Sequence, residues 1–105
     1  MDEKLSFSEN GSTLTAHLSL EIDHHTAKEV RERIDEQLFK LSPEVLELDF
    51  SELRFMDSSG IGLIIGRSEL CERLGAELKI VSPSPRIKRL IRLSGIEKIK
   101  NITII

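Results

Sequence analysis

The chain has 105 residues, enough for one core and one domain spanning 1–105. Apolar residues make up 39% and charged residues 31%, and the net charge of -3 gives no overall attraction for nucleic acid. Trp and Tyr are absent, so bases find few stacking platforms; one cysteine allows no internal disulfide; and no apolar run approaches the roughly 18 residues of a membrane span, which points to a cytoplasmic protein.

Leu5 and Phe7 alternate with polar residues, which predicts a short first strand. Asn10-Gly11 follows, a pair that favours a tight hairpin because both positions tolerate positive φ. Leu14, Ala16, Leu18 and Leu20 then alternate with Thr13, Thr15, His17 and Ser19, the period of a half-buried antiparallel strand, with His17 on the exposed phase. Glu21 to His25 reads as a polar connection. Thr26 and Glu29 have the spacing of a capping box, and Ala27, Val30, Ile34, Leu38 and Leu41 recur at helical spacing until Ser42-Pro43.

Val45 to Phe50 alternates as a buried strand and feeds a short polar turn, two serines and an amphipathic helix. Ser58 and Ser59 sit at that strand-to-helix corner. Serine is a preferred N-cap, and a helix N-terminus also tolerates a phosphate, so the pair reads either as a plain cap or as a phosphate acceptor. Leu63, Ile64, Leu70, Cys71 and Leu74 give the helix an inner face, with Cys71 as inert core, and Gly75 closes it. Leu78 to Val81 is a further strand. Ser84-Pro85 opens a third helix with Ile87, Leu90, Ile91 and Leu93 facing inward and Gly95 at its end, and Ile102 to Ile105 is a last strand. The order β-β-α-β-α-β-α-β predicts an α/β fold: a small mixed sheet with an N-terminal hairpin and helices mainly on one face.

Gly60, Gly62 and Gly66 weaken the helix that contains them, by about 0.5–1 kcal/mol each, so something must offset them. Close packing and a bare surface for a partner outweigh a dinucleotide loop, because the spacing is one residue too long and the next strand lacks a ribose-binding carboxylate. His24-His25 suggests a metal only weakly, since neighbours on an extended segment point apart and no third ligand is spaced to join them. A catalytic triad on Ser58 has no supporting context. Arg86, Lys88, Arg89 and Arg92 give the third helix a basic face, read first as solvated and second as a docking surface for an acidic partner.

Glu21-Ile22-Asp23-His24-His25-Thr26-Ala27, Phe55-Met56-Asp57-Ser58-Ser59-Gly60, Gly66-Arg67, Ser84-Pro85 and Ser94-Gly95 together resemble the anti-sigma-factor antagonists of the STAS superfamily, above all its sporulation sigma-F branch. The likeness extends over nearly the whole chain. It implies a cytoplasmic, monomeric switch protein with no catalytic residues, metal or cofactor. It implies phosphorylation of Ser58, with Ser59 the runner-up, by an anti-sigma factor that is also a serine kinase, and reversal by a serine phosphatase. The unmodified form would bind the anti-sigma factor through Asp23, His24, Asp57, Ser58, Ser59, Gly60 and Gly62 and so release the sigma factor. Nucleic acid and membrane are not expected partners. Leu20 departs from the family, which commonly has glycine there, and the family usually adds a helix after the last strand, whereas this sequence ends at Ile105. The alternatives are a nucleotide- or phosphate-binding module and a STAS scaffold subunit of a stress-signalling complex.

Overall fold

Alternating apolar residues dictate the main sheet. The computed structural model describes residues 4–105. Strands β1 (Leu5–Asn10), β2 (Thr13–Leu18), β4 (Val45–Asp49), β6 (Glu77–Val81) and β7 (Ile102–Ile104) form a five-stranded sheet in the order β1-β2-β4-β6-β7. The first pair is antiparallel and the others parallel. Two further short strands, β3 (Glu21–Ile22) and β5 (Phe55–Met56), pair separately. The hairpin turn centres on Gly11 and Ser12 rather than on Asn10-Gly11. Asn10 still pairs with Thr13, and only Gly11 takes positive φ, the arrangement of a primed turn with a leading glycine.

Helices α1 (Ala27–Leu41), α2 (Ser58–Leu74) and α3 (Pro85–Ser94) connect successive parallel strands. Each crossover steps the same way along the sheet, and right-handed connections then lay the helices on one face. Burial follows this: Leu14, Ala16 and Leu18, then Leu46, Leu48 and Phe50, then Leu78 and Ile80 are buried, while the residues between them are half-exposed. Val30, Ile34 and Leu38 from α1, Ile64 and Cys71 from α2, and Ile87 and Ile91 from α3 close the same core. Each isoleucine of α3 buried this way contributes about 1.5–3 kcal/mol. Leu93, expected on the inner face of α3, is instead 79% exposed, because the helix ends at Ser94 and its side chain falls outside the Ile87–Ile91 stripe. Burial pushes the Cys71 thiol up to about 11, as inert core requires.

The open face of the sheet is polar and ordered. His17 is no free surface residue. Its Nδ1 lies 2.9 Å from Asp49 Oδ2 and its Nε2 lies 2.8 Å from Ser8 Oγ, while Thr15 Oγ1 donates to Glu47 at 3.1 Å. These links join β1, β2 and β4 and fix the register, which a one-residue slip would destroy by turning the apolar rank outward. Burial raises the Asp49 carboxyl, but hydrogen bonds from Ser51 and His17 outweigh it and leave the group below the ordinary aspartate range. Among the described residues, no helix is long and apolar enough to cross a membrane.

Candidate functional site

The site is assembled by the two strands that alternation does not reveal. Glu21 pairs with Phe55 and Ile22 with Met56, in parallel, and the segment read as a polar connection is therefore partly a strand. Arg54 N donates to Leu20 O at 3.1 Å and Asp57 N to Ile22 O at 3.2 Å. The entry to α2 is thereby tied to the segment that leads into α1, and Asp23-His24-His25 comes beside Asp57-Ser58-Ser59.

The starts of α1 and α2 are each held by an aspartate. Asp57, not a serine, is the N-cap of α2: its backbone is extended and its Oδ1 accepts from Ser59 N at 2.8 Å. The carboxylate one residue earlier satisfies a free N–H of the first turn and so starts the helix one residue before a serine cap would. Ser58 is thus the first helical residue and is exposed, whereas Ser59 is half-buried and Gly60 buried. The capping box expected at Thr26 and Glu29 does not form, for Thr26 already has helical angles and makes no side-chain cap. Asp23 Oδ1 instead accepts from His25 N at 2.8 Å and Thr26 N at 3.1 Å, and Thr26 Oγ1 turns back to donate to Glu21 O at 2.8 Å. The His25 N–H, helped by that of Thr26, holds the Asp23 carboxyl below its ordinary value despite some desolvation.

His24 and His25 are exposed and their rings face each other, with centroids 4.2 Å apart and planes tilted by 30°. They do not point apart, because the segment is a turn and not extended. Among the described residues, no group of three or more His, Cys, Asp or Glu side chains is placed to hold a metal.

The glycines divide by environment. A Cβ on Gly60 would run into Cγ and Sδ of Met56, so this glycine serves close packing against β5. Gly62 and Gly66 have no heavy atom within 4 Å of such a Cβ and leave bare backbone. That bare stretch forms one side of a groove of about 340 Å³ between α1 and α2, bordered also by Ser59, Lys28, Arg31 and Arg67. A second hollow of about 360 Å³ adjoins Asp23, Lys4, Glu21 and Arg54.

Sequence reasoning missed Lys28, Arg31 and the partner of Arg67. Arg67 is 7% exposed, and its Nε lies 2.7 Å from Asp35 Oδ1, a charge contact that departs from hydrogen-bond geometry and ties α2 to α1. Burial raises the Asp35 carboxyl more than the nearby guanidinium lowers it, and burial lowers Arg67 in turn. The signal was available: Arg67 falls on the inner stripe with Leu63, Leu70 and Leu74, where a charge needs a partner.

Residues 4–103 match the STAS domain family. The chain is 36% identical over 102 residues to the anti-sigma F factor antagonist of Paenibacillus polymyxa, covering 97% of this chain and 87% of that protein. Its fold is similar to that of the anti-sigma factor antagonist SpoIIAA in its unphosphorylated form, with TM-score 0.80, 26% identity and coverage of 96% and 87% of the two chains. The phosphorylated form of Bacillus SpoIIAA matches with TM-score 0.72, 26% identity and coverage of 96% and 90%. These likenesses show the family: the chain belongs to the STAS-domain family, among its anti-sigma-factor antagonists, and is a regulatory protein rather than an enzyme.

Proposed function

We propose that the unphosphorylated chain binds an anti-sigma factor that is also a serine kinase, releasing a sigma factor in the cytoplasm, and that phosphorylation of Ser58 ends the binding until a serine phosphatase restores it. The observation that carries this is the exposed Ser58 hydroxyl in the first turn of α2, flanked by Asp57 and joined through β3–β5 to Asp23. Ser58 is favoured over Ser59 because Ser59 is half-buried at a helix start held by Asp57. The contact surface on this reading comprises Asp23, His24, Asp57, Ser58, Ser59 and Gly62, with Gly60 holding the corner against Met56.

Phosphorylation adds about -1.5 to -2 charge. The helix dipole stabilises it by about 0.3–1 kcal/mol at an exposed site, and repulsion from Asp57 opposes that gain with a similar magnitude. The fold is therefore left nearly unchanged. Inside a docked interface the same dianion costs several kcal/mol, and each 1.4 kcal/mol is tenfold in affinity. Incubation with the cognate anti-sigma kinase and ATP, followed by mass spectrometry, tests the assignment. Label on Ser58, none on Ser58→Ala, and a Ser58→Asp variant that binds the kinase at least a hundredfold more weakly are expected. Label that persists on Ser58→Ala moves the acceptor to Ser59, and a Ser58→Asp variant that binds like the parent refutes the switch.

A further inference from the structure

The groove between α1 and α2 has a chemistry of its own. Lys28 and Arg31 from α1 and Arg67 from α2 border it, and the carboxylate beside them, Asp35, is already in contact with Arg67 at 2.7 Å. Arg31 bears on Arg67 as a like charge and on Asp35 as an opposite one, so a single carboxylate is shared by two guanidiniums and the groove keeps a surplus of positive charge. This excess of positive charge stands in a chain whose net charge is -3. Gly62 and Gly66 supply the opposite side, and with nothing within 4 Å of a would-be Cβ they admit a main chain to close contact. The groove runs to Ser59, one residue from the exposed Ser58.

Resting on the function proposed above, we infer that an acidic segment of the anti-sigma factor lies in this groove. Lys28 and Arg31 are three apart on one helix, which sets their Cβ atoms about 5–6 Å apart, and carboxylates at a similar spacing on the segment would meet both. The arrangement gives the switch a second lever. A phosphate on Ser58 would stand next to Ser59, which borders the groove, and at physiological salt charges act over roughly 8 Å. It would repel the acidic segment and compete with it for the same cations, so one modification weakens contacts beyond its own atoms.

The test is titration calorimetry of the cognate anti-sigma kinase against the parent, a Lys28→Glu/Arg31→Glu variant and Ser58→Asp, at low and high salt. Both cations are exposed, and thermal denaturation of the double variant should match that of the parent. Charge reversal should weaken binding about tenfold or more at low salt and flatten the salt dependence seen with the parent. Reversal of acidic residues on the kinase segment should restore the affinity of the double variant. A double variant that binds like the parent, while Ser58→Asp does not bind, overturns the groove and leaves the switch intact. Failure of the parent to bind the kinase, or equal binding by Ser58→Asp, removes both together. Binding of ATP or inorganic phosphate alone to the parent, abolished in the double variant, would assign the groove to a free phosphate and overturn the inference.

Discussion

Alanine at three glycines of one helix should change stability with opposite signs. Gly62 and Gly66 lie in the interior of α2, and a methyl group at either position meets open space. Each substitution should stabilise the protein by about 0.5–1 kcal/mol, chiefly because alanine has less unfolded-state freedom to lose. Gly60 lies in the same helix, but its methyl group would collide with Cγ and Sδ of Met56, with Ile22 Cγ2 at 3.5 Å behind. Met56 is 5% exposed and cannot swing into water without losing core contacts. Overpacking of this kind costs about 1–3 kcal/mol, more than the alanine propensity gain returns, so Gly60→Ala should be destabilising on balance. Urea denaturation read by circular dichroism measures all three, with the slope expected to stay constant and the midpoint to move. For a chain of this size, 1 kcal/mol corresponds to roughly 4–8 °C in melting temperature, well within reach of calorimetry. A Gly60→Ala protein as stable as the parent, or a Gly66→Ala protein less stable than it, would refute the division of these glycines into packing and open surface.

Truncation of the inter-helix ion pair should be costly in one direction only. Arg67→Ala leaves Asp35 with its charge poorly solvated, and because Asp35 remains 24% exposed the loss should be about 2–3 kcal/mol rather than the larger value of a fully buried pair; Arg67→Leu combined with Asp35→Leu should recover most of it in the same denaturation assay. Asp49 has a depressed carboxyl in the folded state, so its contribution is complete above the ordinary aspartate pKa of 3.8 and is lost as pH falls through the lower folded value. Asp49→Asn should therefore flatten the fall of stability across that acid window, and an unchanged acid slope would show that the hydrogen bonds from Ser51 and His17 to Asp49 contribute nothing.

Much of the fold was legible in the sequence because burial was one-sided. The strand of Leu46, Leu48 and Phe50 and the helix of Val30, Ile34 and Leu38 each show a single period over enough residues to be read. β3 and β5 were not legible, since two residues each carry no period, and only Ile22 and Met56 hint at burial within polar surroundings. The capping of α1 and α2 differs from that expected for a related reason, whereas Ser84 does cap α3. Thr26 and Ser58 have the right chemistry for N-caps, but Asp23 and Asp57 precede them and take up N–H groups at the helix entries first, and sequence cannot rank such neighbours when the turn geometry is set by strands it does not reveal. The place of Ser58 and Ser59 at the start of α2 was legible even so, because a hydroxyl beside a cap and a hydroxyl acting as a cap occupy nearly the same place.

That displacement of the cap by one residue matters for the proposed switch. A serine acting as the N-cap would already have its oxygen engaged by a backbone N–H, and its phosphorylation would disturb the first turn of α2. With Asp57 in that position, the carboxylate accepts from Ser59 N at 2.8 Å and its carbonyl accepts from Gly60 N at 2.9 Å, so the turn is closed without any contribution from the Ser58 hydroxyl. The hydroxyl can then be esterified at little expense to the fold. The full electrostatic effect of the phosphate falls on whatever docks against the corner and, on the inference above, along the basic groove that begins at Ser59. Asp57→Ala would reverse this division of labour. Loss of the cap should destabilise the helix start by about 0.5–2 kcal/mol and make Ser58 the alternative cap, so that phosphorylation would then alter folding as well as binding.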